Sequence, residues 1–281
     1  MDYILCGFLN KKHLHLIVIL VAILASAVLI FSLSGAGNPG GASMVSYDGK
    51  PVSPQFLNGL AIPANVSNAV GIWPEGYKGI SKIKNTTPLY LNGKPEVLYI
   101  GAEYCPYCAA ERWAMIIALM RFGTFSGISY MTSSSSDYAP NSPTFTFVNS
   151  TYYSPYISFV SVEIEGNKAI NGSFPPSYPT LQRPTHQENT TFFAYNPGGS
   201  IPFVDFGNSS VLVGATYDPL SVLNGDNWSI IEGKLHDPST MQSQAIVGSA
   251  NLLTAQICAM DNNTPASVCG QGYVKQAESA G

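Results

Sequence analysis

The 281-residue chain carries a charge on only 11% of its residues, well below the roughly 25% of ordinary soluble proteins. Its formal net charge of −4 is spread along the sequence without a cluster of Lys and Arg. Nucleic acid is excluded as a partner on that ground, because binding phosphates needs concentrated positive charge.

Residues 14–33 contain no Asp, Glu, Lys or Arg. A helix of that length covers about 30 Å, the hydrocarbon thickness of a bilayer. Lys11 and Lys12 precede it, and the next basic residue is Lys50. This asymmetry predicts a cytoplasmic tail at 1–13, a single-pass membrane anchor at 14–34 and an extracytoplasmic remainder. A cleaved signal peptide is the alternative, since small residues follow at 34–37, although the apolar run exceeds the usual core of about 7–15 residues. Residues 35–52 read as a flexible spacer and 53–275 as the exported domain.

Within that domain, 54–70 is expected to form a short helix. Asn92-Gly93-Lys94-Pro95 is a turn signal, and 96–102 is an apolar run suited to a buried strand. Cys105-Pro106-Tyr107-Cys108 follows at once, and 109–121 is built from strong helix formers. A strand is expected at 128–132. Next, 144–148 is expected to pair as a hairpin with a strand at 156–164. Strands at 201–206 and 211–215 flank the turn Gly207-Asn208. A broken helical stretch is expected at 218–235, then a helix capped by Ser239 and running to about residue 260.

A Cys-X-X-Cys between a strand and a helix is the arrangement that thiol chemistry needs. Unpaired N–H groups at the helix start stabilise a thiolate on the first, exposed sulfur. Cys105 is thus the expected nucleophile and Cys108 the resolving thiol one turn later, with Tyr104 and Tyr107 framing the exposed sulfur. Pro106 suits the first helical turn, where its missing N–H is no loss. A structural bridge across so short a step stabilises little. A zinc site would need Cys258 and Cys269 as well, and their spacing is too long. No metal and no cofactor are expected. Glu103 or Glu111 could tune the thiol proton, whereas acids and Arg112 on a first helical turn are more often a solvated face. Downstream, Pro202 opens an apolar strand. Following a Cys-X-X-Cys, it matches the cis-Pro loop where thioredoxin-like proteins dock substrate chains; an ordinary trans Pro opening a strand is the alternative.

Exported compartments permit disulfides, and Cys258–Cys269 reads as a structural bridge or, alternatively, as a second redox relay. Asn65, Asn85, Asn149, Asn171, Asn189, Asn208, Asn227 and Asn262 each begin an Asn-X-Ser/Thr acceptor triplet, the pattern of a glycosylated surface protein.

The stretch Gly101-Ala102-Glu103-Tyr104-Cys105-Pro106-Tyr107-Cys108-Ala109-Ala110-Glu111-Arg112-Trp113, the run Arg121-Phe122-Gly123-Thr124-Phe125 and the Pro202 strand carry a resemblance. They resemble domain of unknown function 929, an uncharacterised archaeal family of membrane-anchored proteins within the thioredoxin superfamily. The resemblance spans about residues 53–269. It implies an α/β fold: a thioredoxin-like domain with a central mixed sheet flanked by helices, an insertion at about 133–197, and one transmembrane helix before it. The implied activity is thiol–disulfide exchange on exported Cys-containing proteins, with a membrane redox partner recycling the dithiol. Tyr104 stands where thioredoxin itself has Trp, so thioredoxin's reductase role does not carry over directly. A non-enzymatic, glycosylated binding protein on the same scaffold is the alternative reading.

Overall fold

The computed structural model describes residues 48–84, 86–171 and 175–280. The expected anchor at 14–34, its cytoplasmic tail and residues 35–47 of the spacer lie outside them. Among the described residues no helix is long and apolar enough to cross a membrane.

The strands are β1 (Ile80–Lys82), β2 (Tyr90–Leu91), β3 (Lys94–Gly101), β4 (Thr124–Ser126), β5 (Ser129–Thr132), β6 (Pro143–Thr146), β7 (Thr151–Tyr153), β8 (Ser158–Glu163), β9 (Phe203–Phe206) and β10 (Ser210–Val213). The helices are α1 (Pro54–Gly59), α2 (Ala64–Val70), α3 (Pro106–Met120), α4 (His186–Tyr195), α5 (Pro219–Val222), α6 (Trp228–Lys234), α7 (Gly248–Met260), α8 (Ala266–Cys269) and α9 (Gly272–Ala280).

The central sheet is mixed and runs β1-β10-β9-β3, with β8 parallel to β3 on the other side. β9 is antiparallel to both β3 and β10. Two hairpin turns set this register. Asn92 and Gly93 (φ 53° and 76°) join β2 to β3, and Gly207 and Asn208 (φ 61° and 58°) join β9 to β10. Asn and Gly tolerate the left-handed region that such turns require. β3 is apolar on both faces because both are covered. Val97 and Tyr99 face the larger core, with Val204, Leu212 and the inner sides of α3 and α7. Leu98 and Ile100 face a smaller core with Val162, Phe203 and Phe192 of α4. The result is a sheet flanked by helices on both faces.

Several local expectations are corrected. The 54–70 segment forms two helices, α1 and α2, rather than one. The strand expected at 128–132 is present as β5, and it pairs with β6 in a separate ribbon. β6 therefore does not form a hairpin with β8. The aromatic content of β6 explains this: Phe145 packs edge-on against Trp113 of α3 at 4.6 Å, and Trp113 Nε1 donates to Pro143 O at 2.8 Å. Within 133–197, the stretch expected as an insertion, β8 and α4 belong to the central layers. Ser239 does not cap the last long helix, because its Oγ and N–H both donate to Asp237 Oδ1. Thr240 Oγ1 instead accepts from Ser243 N–H at 3.1 Å, and a π-helical turn (Ser243–Val247) leads into α7.

Candidate functional site

Cys105 is the N-cap of α3, with extended backbone (φ −73°, ψ 121°), and Pro106 occupies the first helical turn. Its Sγ accepts from the Cys108 N–H at 3.3 Å, so the sulfur meets one of the donors that a helix start leaves unpaired. Both thiols are free. The Cys105 thiol is held below its ordinary range. The hydrogen bond from the Cys108 side chain contributes most, aided by the Cys108 N–H and the positive charge of Arg112. Burial pushes the Cys108 thiol well up. The pair is thus polarised, with negative charge favoured on Cys105 and the proton on Cys108.

The expectation of an exposed first sulfur is corrected. Cys105 is only 5% exposed and Cys108 fully buried; with Ala102 they form a small cluster against which Tyr104, Ile164 and Ile201 pack. Tyr104 stacks flat on Tyr178 at 4.2 Å, and Tyr107 on Tyr138 at 5.9 Å. Tyr178 and Tyr138 belong to segments distant in sequence. Ser134 N–H donates to Tyr104 O and the Tyr178 hydroxyl to Ser134 Oγ, which ties these segments to the cysteine turn.

Ile201 O lies 3.9 Å from Cys105 Sγ, and the Ile201–Pro202 peptide is cis. Pro202 therefore sits beside the cysteine turn, brought there from almost a hundred positions downstream.

The reading of Glu103, Glu111 and Arg112 as a solvated face is corrected, since all three are buried. Arg112 makes a two-pronged ion pair with Glu163 at the end of β8, Nε to Oε1 and Nη2 to Oε2 both 2.8 Å, and Nη2 also donates to Ala102 O at 2.6 Å. Neither acid bonds a cysteine. Glu103 Oε1 accepts from Thr146 Oγ1 at 2.6 Å, and Glu111 Oε2 is bound to Thr216. Both carboxyls are raised by burial, Glu111 to about 7. Glu163 was missed by sequence reading. Arg112 carries a visible signal: it stands four residues after Cys108, on the same helix face, in a run that is otherwise almost wholly apolar.

Residues 80–173 match the family model described as Domain of unknown function (DUF929). The DUF929 match covers a third of the chain and includes Cys105, Cys108, Arg112 and Glu163; Ile201, Pro202 and Thr216 fall outside it. No curated protein and no solved structure matches the chain.

Away from this site, Cys258 and Cys269 form a disulfide with Cα atoms 5.6 Å apart, joining the end of α7 to α8. Of the acceptor asparagines, Asn65, Asn149, Asn171, Asn189 and Asn262 are exposed, whereas Asn208 and Asn227 are half-buried. Asn208 Nδ2 already donates to Thr87 O, and Asn227 Oδ1 caps α6 through Ile230 N–H. Asn85 lies outside the described residues.

Proposed function

We propose that this protein is an extracytoplasmic thiol–disulfide oxidoreductase that works through Cys105 and Cys108 on exported Cys-containing proteins. The observation that carries this reading is the Cys105 sulfur at the start of α3, hydrogen-bonded by Cys108 N–H at 3.3 Å beside the Ile201 carbonyl. The order of the central sheet supports a thioredoxin-like fold: β3 leads into the cysteine turn, β8 is its parallel neighbour and β9–β10 follow Pro202 antiparallel.

In the forward direction the Cys105 thiolate attacks one sulfur of a substrate disulfide. A Cys105–substrate bond forms and the other substrate sulfur leaves as a thiolate. Cys108 then loses its proton to that thiolate, attacks Cys105 Sγ and releases the second substrate sulfur, which takes up a proton from water. Two electrons pass from the dithiol to the substrate, and the Cys105–Cys108 disulfide remains. Run in reverse, the same exchange oxidises a substrate dithiol. A membrane redox partner resets the pair, and residues 14–34 hold the domain at the outer face of the membrane, where the exposed acceptor asparagines carry glycans. The resemblance to domain of unknown function 929 supports reading the chain as an archaeal protein of this anchored design.

A second reading is favoured by one observation, the 5% exposure of Cys105: a non-enzymatic surface or binding protein on the same scaffold.

One experiment separates the two. The full-length chain is equilibrated with graded mixtures of reduced and oxidised glutathione, and the Cys105–Cys108 disulfide is quantified by mass spectrometry. An oxidoreductase gives a potential between about −270 and −120 mV. In Cys108→Ser, partner proteins accumulate as mixed disulfides on Cys105. A pair that does not exchange, with no mixed disulfide trapped, leaves the binding-protein reading.

A further inference from the structure

A buried ion pair stands directly behind the cysteine turn. The Arg112 guanidinium is clamped by both oxygens of Glu163 and by the Ala102 carbonyl, three residues before Cys105. Neither charged side chain has any exposed surface. Its third nitrogen, Nη1, is buried without a partner, and so is the hydroxyl of Tyr99, whose ring faces the guanidinium at 6.0 Å. Tyr99 reaches over Gly101, filling the space a side chain there would need. A bidentate Arg–carboxylate pair fixes a planar charge in both position and orientation. A buried pair is weak evidence for added stability, because desolvation offsets its attraction. Its placement therefore calls for another role.

We propose that Arg112 is the positioning residue of the dithiol: its fixed charge stabilises negative charge on Cys105, and Glu163 sets how much of that charge the sulfurs feel. This rests on the oxidoreductase reading only for its consequence in exchange; the electrostatic effect stands independently. The other groups whose charge reaches the cysteines include Tyr104 and Tyr107 beside Cys105, and Tyr99 beside both sulfurs. All three are phenols held neutral at physiological pH, since burial raises each. The positive charge of Arg112 draws Cys105 down and pulls on Cys108 in the same direction.

The test is a thiolate titration by ultraviolet absorbance on the full-length chain, with alkylation rates assigning the signal to Cys105. Glu163→Gln leaves the guanidinium uncompensated and is expected to raise the thiolate-to-thiol ratio of Cys105 roughly ten-fold near neutral pH, the size of effect one nearby charge has on a thiol. Arg112→Met alone would strand the Glu163 charge and risks unfolding. The double variant Arg112→Met/Glu163→Met replaces the pair with apolar side chains of similar length, a kind of exchange that folded proteins often tolerate. It is expected to lower the ratio by about the same factor. A merely structural pair would shift neither ratio, or shift both in the same direction. Changes of equal sign, or below about two-fold in both folded variants, overturn the proposal. If these shifts appear while the wild-type chain exchanges no disulfide with glutathione, the tuning stands and the oxidoreductase reading fails. Normal exchange without the shifts sinks the tuning alone.

Discussion

Glu111 Oε2 accepts hydrogen bonds from both the N–H and the Oγ1–H of Thr216, each at 2.8 Å. This locks α3 to the segment after β10. The other carboxyl oxygen, Oε1, is buried without a partner, and burial raises Glu111 from its ordinary 4.5 to about 7. Glu96 and Asp205, neighbours on β3 and β9, are both raised to about 6 by the same cause.

A carboxyl raised by folding favours the native state when it holds its proton. The stabilisation is full below the ordinary value and is lost as pH rises through the shifted one. Denaturant unfolding of the full-length chain should therefore show stability increasing from about pH 8 down to about pH 5. Glu111→Gln keeps an acceptor for Thr216 and should flatten the upper part of that curve. Stability that falls on acidification across this window would contradict the assignment.

Arg121 should prove the main polar tie at the other end of α3. Its Nη1 donates to Thr254 Oγ1 at 2.6 Å and to Ala250 O at 3.2 Å. Nη2 donates to Ser67 Oγ at 3.1 Å and Asn251 Oδ1 at 2.7 Å, and the guanidinium lies 4.6 Å from the Tyr273 ring centre. Arg121→Met removes these donors from buried acceptors and is expected to cost about 2–4 kcal/mol. Arg121→Lys recovers only part, because a single ammonium cannot span α2, α7 and Tyr273 together. Equilibrium unfolding measures both; a loss below about 0.5 kcal/mol for Met would show that the acceptors find other donors.

The disulfide between Cys258 and Cys269 closes a short loop, with a sequence separation of 11. Replacing both cysteines by Ala should destabilise by about 3 kcal/mol in the chain-entropy estimate. Cys105–glutathione exchange should be left unchanged, since Cys258 and Cys269 pack in the main core rather than around Cys105 and Cys108. Slowed exchange in the folded double variant would instead point to an electron relay.

Cover over Cys105 should limit its reactivity. Ile164 is half-buried against the cluster of Ala102, Cys105 and Cys108 and is positioned by its N–H donating to Gly101 O at 2.7 Å. Ile164→Ala keeps that backbone bond and should open the packing around the sulfur. Alkylation of Cys105 by iodoacetamide should accelerate several-fold, with stability lowered by about 1 kcal/mol, less than for a fully buried side chain because Ile164 is half-buried. Unaltered alkylation would mean that Tyr104 and Ile201 alone control access.

Much of the site's local character was legible in the residues. The run at 96–102, the cysteine turn and the helix formers after it are contiguous, and strand, cap and helix follow from nearest-neighbour chemistry. The β9–β10 turn was legible for the same reason, because Gly207-Asn208 meets a backbone demand that few residues satisfy. Pairing was not. Whether 144–148 joined β8 or β5 depended on Phe145 meeting Trp113, a contact between elements that no periodicity encodes. The burial of Arg112 was hidden likewise: a lone cation in an apolar helix reads as solvated until Glu163 arrives from β8 to neutralise it. The sequence alone thus determined which cysteines stand at the start of a helix and how the chain turns around them. Only the tertiary structure decided what covers those sulfurs and which charge faces them, because both depend on side chains from distant strands meeting in space.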